Sequence, residues 1–183
     1  MTLYINCCVR DDSRTDRIAR AVLVKLGGEY EELYLPDEGL EPLSSEKLKL
    51  RTELIANGDY SHPMFRYAKQ LASADKIVIS APYWDLSFPS LLKLYIENIY
   101  VTGIVSEYGE NGIPHGLCKA SELIYVTTAG GPYVPDYSYG YIKELAEIYL
   151  GIGRARLVFA EMLDVVGFDA EEIVKNTINN LEV

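Results

Sequence analysis

Residues 76–93 read KIVISAPYWDLSFPSLLK, and this segment contains the clearest structural pattern in the chain. The stretch from Lys76 to Ala81 is almost continuously apolar, as expected of a strand in the middle of a sheet that is covered on both faces. Pro89 stands where a first helical residue would, and predicts a helix that runs through about Val101 and ends at Gly103. A buried strand that leads through a short loop into a helix is typical of a parallel α/β sheet.

Four further strands are predicted around this one, over residues 3–9, 29–35, 123–128 and 157–160. Helical spacing of apolar residues predicts helices over 13–26, 44–56, 63–74 and 141–150, and a last helix begins at Asp169. This alternation predicts a flavodoxin-like, doubly wound, five-stranded parallel α/β sheet with helices on both faces. Because no internal repeat or linker-like composition is visible, residues 1–183 are expected to form a single domain.

The composition excludes several classes of protein. The chain has 17 basic and 27 acidic side chains in 183 residues, and its net charge of −10 disfavours nucleic acid and anionic membranes as partners. No apolar run is long enough to span a bilayer, and no secretory signal precedes the first strand. Cys7, Cys8 and Cys118 are expected to be reduced thiols in a cytoplasmic protein. His62 and His115 lie at no metal-ligand spacing, so no metal site is predicted.

Ligands of doubly wound sheets bind beyond the carboxyl ends of the strands, where the winding direction switches. This rule selects three loops, residues 8–15, 82–88 and 128–140. In the first loop, helix N-terminal N–H groups and the hydroxyls of Ser13 and Thr15 are suited to a phosphate. Simple capping of the helix by Asp12 or Ser13 explains the same residues equally well.

The other two loops also allow two interpretations each. Tyr83 and Trp84 follow the central strand, where a planar cofactor could pack against them, but a pair of aromatic rings could equally plug the end of the core. Gly130 and Gly131 allow close approach of a ligand to the backbone, although Gly-Gly-Pro is also ordinary in a connection between a strand and a helix.

A second chemistry is possible in the first loop. Cys8, Arg14 and Thr15 match the C-x5-R-[S/T] pattern, and the loop resembles that of low-molecular-weight tyrosine phosphatases, in which a thiolate attacks phosphorus. Asp11 and Asp12 would repel a phosphate dianion and raise the pKa of Cys8. The late Asp-Pro acid of that family is also missing, so a cysteine phosphatase is the weaker alternative.

Nearly the whole chain resembles one protein family. Residues 81–89 read APYWDLSFP, with Leu92-Lys93 and Tyr95-Ile96-Glu97 after them. This order resembles the pattern Ala-Pro-Met-Tyr/Trp-Asn-Phe/Leu-Ser-Ile-Pro-x-x-Leu-Lys-x-Tyr-Ile-Asp of the FMN-dependent NADH:quinone oxidoreductases and azoreductases, which have a flavodoxin-like fold. Residues 128–131 stand where that family has Ser/Thr-x-Gly-Gly, and residues 157–161 match its late strand.

The resemblance implies an FMN site that combines the three loops. The FMN phosphate would be bound by Ser13, Arg14 and Thr15. The isoalloxazine ring would be lined by Pro82, Tyr83, Trp84, Asp85 and Leu86. The pyrimidine side or the ribityl chain would be wrapped by Thr128, Ala129, Gly130 and Gly131. The acceptor site would be shaped by Tyr108 and Tyr149, partly from a second subunit, which implies a homodimer.

The resemblance also implies the reaction, in which a hydride passes from NADH or NADPH to FMN and then to a quinone-like or azo acceptor. The flavin carries this chemistry, so no catalytic side chain is predicted. A flavodoxin-like electron carrier or flavin-binding sensor is a further alternative, because an acidic surface suits electron carriers. The chain departs from the family at Asp85, where asparagine is usual, and at Asp11 and Asp12, which crowd the phosphate loop. These departures predict weakened FMN affinity.

Overall fold

The computed structural model describes residues 1–182, and its main feature is a five-stranded parallel sheet. In chain order its strands are β1 (Thr2–Asn6), β2 (Tyr30–Tyr34), β3 (Lys76–Ser80), β6 (Glu122–Thr128) and β7 (Ala155–Ala160). A two-stranded antiparallel hairpin, β4 (Ser106–Tyr108) and β5 (Pro114–Gly116), lies between β3 and β6 in the chain. The strand order in the sheet is β2-β1-β3-β6-β7, which confirms the predicted doubly wound α/β fold.

The helices cover both faces of the sheet. They are α1 (Arg14–Leu26), α2 (Ser45–Ala56), α3 (Arg66–Ser73), α4 (Ser90–Ile99), α5 (Tyr139–Glu144) and α6 (Ala170–Asn179). Ile18 and Val22 of α1 and Val174 of α6 pack on one face, and the larger core on the other face includes Leu71 of α3 and Leu92 of α4. No helix within residues 1–182 combines the length and the apolar content needed to cross a lipid bilayer.

The sheet register places the predicted loops side by side. Asn6 at the end of β1 pairs with Ser80 at the end of β3, and Ser80 pairs in turn with Val126 of β6. The chain leaves β1 toward β2 and then returns to the other side of β1 at β3, so the winding direction switches between β1 and β3. A ligand site is expected at this edge of the sheet.

Several element boundaries differ from the predicted ones. The first strand ends at Asn6 rather than Val9, and the helix predicted over 63–74 is a 3₁₀ turn over Pro63–Phe65 followed by α3. The helix predicted over 141–150 begins at Tyr139 and changes to π geometry over Leu145–Tyr149, where the Leu150 N–H donates to the Leu145 carbonyl. Such a change depends on packing, which the spacing of apolar residues does not reveal.

The β4–β5 hairpin was not predicted. Its strands have three residues each, which is too short for a pattern of alternation to be visible. The hairpin packs closely on the end of the π segment, because a Cβ at Gly116 would lie 2.0 Å from the Gly151 nitrogen. Long-range packing therefore stabilises this element.

Candidate functional site

A cavity of about 310 Å³ lies at the carboxyl ends of β1, β3 and β6. Nine of the predicted site residues line it: Ser13, Arg14, Thr15, Pro82, Tyr83, Trp84, Thr128, Ala129 and Gly130. It is also lined by Cys8, Val9, Arg10, Asp12, Leu163 and Asp164. The three predicted loops therefore meet at one cavity, whose size is ordinary for a small-molecule site. A wider groove of about 780 Å³ runs between β7 and α6, but it contains none of the predicted site residues.

One end of the cavity is the amino terminus of α1. Ser13 is the N-cap, and its hydroxyl accepts a hydrogen bond from the Asp16 N–H at 3.3 Å. The N–H groups of Arg14 and Thr15, in the first turn, have no intrahelical acceptor, and the helix dipole makes this end of the helix positive. Thr15 is buried, with its hydroxyl 2.7 Å from that of Thr128. These features suit an anionic group such as a phosphate.

A network of polar side chains lies beneath this helix end. The Tyr4 hydroxyl donates to Asp16 Oδ1 at 2.5 Å, and Asn6 Nδ2 donates to the same oxygen at 3.1 Å. Arg20 donates from Nε to the other Asp16 oxygen at 2.7 Å and also forms an ion pair with Glu32. Burial, together with the hydrogen bond to Asp16, raises the pKa of Tyr4 well above its usual value. The network joins the first turn of α1 to β1 and β2.

Cys8 contacts Asn6 of this network and is only 4% exposed. Its Sγ is 3.5 Å from Ser80 Oγ, and its backbone N–H donates to Asn6 Oδ1 at 2.9 Å. Burial is the main reason why the pKa of the Cys8 thiol is raised. A cysteine phosphatase needs a thiol with a lowered pKa, so the environment of Cys8 disfavours that alternative.

The other end of the cavity is lined by Trp84, which begins a tight turn that ends at Ser87. The Trp84 N–H donates to the Ser87 carbonyl at 3.1 Å, and the Ser87 N–H donates to the Trp84 carbonyl at 2.8 Å. Asp85 has φ 50° and Leu86 has φ 67°, so two consecutive non-glycine residues are left-handed, as in a type I′ turn. Left-handed backbone is costly for a leucine, and strain of this kind is concentrated at functional sites.

This turn leaves Trp84 exposed and Tyr83 packed. Trp84 is 38% exposed at the cavity. The Tyr83 ring lies edge-on to that of Tyr133, with 4.9 Å between the ring centres. Within residues 1–182 the buried Tyr83 hydroxyl has no hydrogen-bond partner. Trp84 is therefore the aromatic side chain of this turn that is free to contact a planar ligand.

Five predicted site residues do not line the cavity. Asp85 and Leu86 are exposed at the tip of the turn, and Gly131 lies just beyond Gly130. Tyr108 and Tyr149 lie apart from the cavity, close to Tyr100. The Tyr108 and Tyr100 hydroxyls are 3.2 Å apart, and the Tyr149 ring is edge-on to Tyr100 at 6.3 Å. Burial is the main reason why the pKa of Tyr100 is raised to about 12.

The loop that follows β7 is a fourth wall, which the sequence analysis missed. The Leu163 and Asp164 N–H groups donate to the carbonyls of Ala129 and Gly130, at 3.2 and 2.9 Å. A Cβ at Gly130 would lie 2.5 Å from Asp164 Oδ2, so only glycine fits there without displacing the carboxylate. This loop also follows the carboxyl end of a strand, and β7 lies beside β6, so its position agrees with the expected place of a ligand site. No local motif distinguishes Asp164, however.

Comparison with known proteins gives consistent results. A family model described as flavodoxin-like fold matches residues 1–182. An FMN-dependent NADH:quinone oxidoreductase 2 from Clostridium acetobutylicum is 38% identical over 96% of this chain and 93% of its own length. A protein described as an FMN-dependent NADH:quinone oxidoreductase, from Coprothermobacter proteolyticus, is 31% identical over 94% of this chain and 90% of its own length.

Solved structures show the same similarity. An FMN-dependent NADH-azoreductase from Bacillus anthracis, in complex with FMN, has a TM-score of 0.79 and 25% identity, and the match covers 97% of this chain and 93% of that one. Another azoreductase from Bacillus anthracis has a TM-score of 0.82 at 21% identity over 97% of this chain and 94% of that one, which shows the shared fold.

Proposed function

The chain belongs to the flavodoxin-like family of FMN-dependent NADH:quinone oxidoreductases, and from this membership we propose that it is an enzyme that uses FMN to pass electrons from NADH or NADPH to quinone-like or azo acceptors. The observation that carries the proposal is the convergence of the three loops on one cavity at the switch point of the sheet. Flavodoxin-like sheets bind their flavin at this position.

The residues around the cavity fit the two chemically different parts of FMN. The phosphate needs hydrogen-bond donors and positive potential, which the first turn of α1, the Ser13 hydroxyl and Arg14 supply. The ring needs an exposed aromatic surface and close approach to the backbone, which Trp84 and Gly130 supply. Asp12 and Asp164 offset Arg10 and Arg14 in charge, so the helix terminus contributes most of the attraction for the phosphate.

The side chains in this proposal bind and orient rather than react. Bound FMN would supply the chemistry, accepting a hydride from the nicotinamide and passing the electrons to the acceptor. Ser13, Arg14 and Thr15 would hold the phosphate, and the backbone of residues 82–86 and 128–131 would hold the ring. Asp85 would stand at the solvent side of the ring, because it is exposed at the tip of the turn.

The assembly and the acceptor site are part of the same proposal. Residues 1–183 would form one domain and act as a cytoplasmic homodimer, with Tyr108 and Tyr149 beside the acceptor. Tyr108, Ile113 and Ile148 are exposed on the hairpin and on the π segment against which it packs, which supports an interface there. Size-exclusion chromatography with light scattering tests the dimer, and a monomer at micromolar concentration would contradict it.

A spectrum and one assay test the function. Purified full-length protein should show flavin absorption near stoichiometry, or gain it on addition of FMN, and should oxidise NADH or NADPH in the presence of a neutral quinone. Flavin binding without oxidation of either nucleotide would favour the electron carrier or sensor instead. A protein that takes up no FMN would refute the proposal.

A further inference from the structure

An ion pair between α1 and the loop after β7 crosses one wall of the cavity. Arg14 Nη1 donates to Asp164 Oδ1 at 2.9 Å and to the Leu163 carbonyl at 3.4 Å. Both charged residues line the cavity, and their side chains are 37% and 71% exposed, so a bound ligand can reach either of them. The two residues are 150 positions apart in the chain, so the pair exists only because β7 lies beside β6.

The backbone of Asp164 is held by the loop after β6, and its carboxylate lies against Gly130. Its N–H donates to the Gly130 carbonyl at 2.9 Å, and its Oδ2 occupies the space where a side chain at position 130 would begin. Arg14, by contrast, is the first residue of α1 and directly follows the N-cap Ser13. The guanidinium therefore extends from the helix N-terminus, where the phosphate is proposed to bind, to a carboxylate in the loop after β7.

The geometry points to Asp164 as a specificity-determining residue, which competes with the flavin phosphate for Arg14 and so limits the preference of the site for FMN over riboflavin. This inference rests on the proposed function. A guanidinium that already donates to a carboxylate has fewer donors for a phosphate. Riboflavin has no phosphate, so this competition does not change its affinity.

Flavin titrations of four full-length proteins test the inference: the wild type, Asp164→Asn, Arg14→Gln and the double variant. Dissociation constants for FMN and for riboflavin are measured by the quenching of flavin fluorescence after removal of bound flavin. Asp164→Asn should tighten FMN binding about three- to tenfold and leave riboflavin binding unchanged within about twofold. In the Arg14→Gln background the same substitution should change FMN affinity less than about twofold, because the contested donor is absent. Asp136→Asn is the charge-matched control, since Asp136 is exposed and does not line the cavity.

Several other outcomes would contradict the proposed competition for Arg14. Unchanged or weaker FMN binding in Asp164→Asn would overturn the inference, as would an equal gain for riboflavin or the same gain in Asp136→Asn. A gain that persists in full without Arg14 would show simple charge repulsion rather than competition. In these cases FMN still binds and the proposed function stands, whereas a wild-type protein that binds neither flavin would overturn both.

Discussion

The two ends of the cavity are built differently. At the end proposed for the phosphate, α1 is fastened to β1 and β2 by the partly buried network around Asp16, in which Tyr4, Asn6 and Arg20 all donate to one carboxylate. At the ring end, the Trp84–Ser87 turn is held by two backbone hydrogen bonds and by one bond from the Ser87 hydroxyl to the Tyr137 carbonyl. The cavity therefore combines a well-connected end, which suits an anion, with a strained and exposed end, which suits a planar ring.

The largest effect is expected from the network itself. Asp16→Asn removes the charge that accepts from Tyr4, Asn6 and Arg20, and should lower the free energy of unfolding by about 3 kcal/mol, as measured by urea denaturation. Glu171→Gln is the matched control. It removes an exposed ion pair between Glu171 of α6 and Arg17 of α1, the helix that contains Asp16, and should change the stability little. Equal effects of the two substitutions would mean that the network stabilises the protein no more than an exposed ion pair does.

Ser13→Ala should separate the phosphate end from the ring end. Loss of a hydrogen bond to a charged group costs about 1.5–3 kcal/mol, so FMN affinity should fall roughly tenfold to a hundredfold while riboflavin affinity is unchanged. Ser44→Ala is the control, since Ser44 caps α2, far from the cavity, and its loss costs similar stability, about 1 kcal/mol. Equal losses for FMN and riboflavin would place the phosphate elsewhere.

Trp84→Ala should show the opposite selectivity. Loss of aromatic packing is expected to weaken FMN and riboflavin binding alike, by about 1 kcal/mol or roughly fivefold. In the wild type the fluorescence of this single tryptophan should be quenched when either flavin binds. An unquenched signal at saturation, or a loss confined to FMN, would contradict the assignment of this end to the ring.

A substitution at Leu86 measures the backbone strain in the Trp84–Ser87 turn. Leu86 is 60% exposed and left-handed, so Leu86→Gly should raise the free energy of unfolding by up to about 1 kcal/mol. Leu86→Ala is the control, because alanine keeps the penalty of a left-handed residue. A loss of stability in Leu86→Gly would show that the leucine side chain contributes more than its backbone costs.

The smallest effect is expected at Asp85. Its carboxylate is exposed at the tip of the turn, so solvent screens it strongly. Even about 5 Å from the flavin, a carboxylate in water contributes only roughly 0.8 kcal/mol, or about 20 mV for a two-electron couple. Asp85→Asn should therefore raise the FMN midpoint potential by no more than about 20 mV, and less at high salt. A rise of about 70 mV would instead indicate a desolvated carboxylate at the ring.

Much of the site could be predicted because it lies at strand ends. The β3–turn–α4 segment contains an apolar run, a proline and two aromatic residues in an order that predicts both the sheet centre and a loop at the cavity. The capping role of Ser13 was one of the alternatives, and the structure shows it without excluding a phosphate, because the hydroxyl can still donate. The Tyr83 ring, however, packs against Tyr133, and the sequence contains no indication that Trp84 rather than Tyr83 is the exposed one.

Local patterns of residues were sufficient to predict the five strands of the parallel sheet, the helices between them and the three loops that meet at the cavity. Burial on both faces demands apolar runs, and helix ends demand particular residues, so both leave local patterns. Three features emerge only in the folded chain: Asp164 faces Arg14, Asp16 accepts from three donors, and Asp85 and Leu86 adopt left-handed backbone. These features depend on which distant strands become neighbours in the sheet and on how their side chains pack, and no local pattern of residues encodes that.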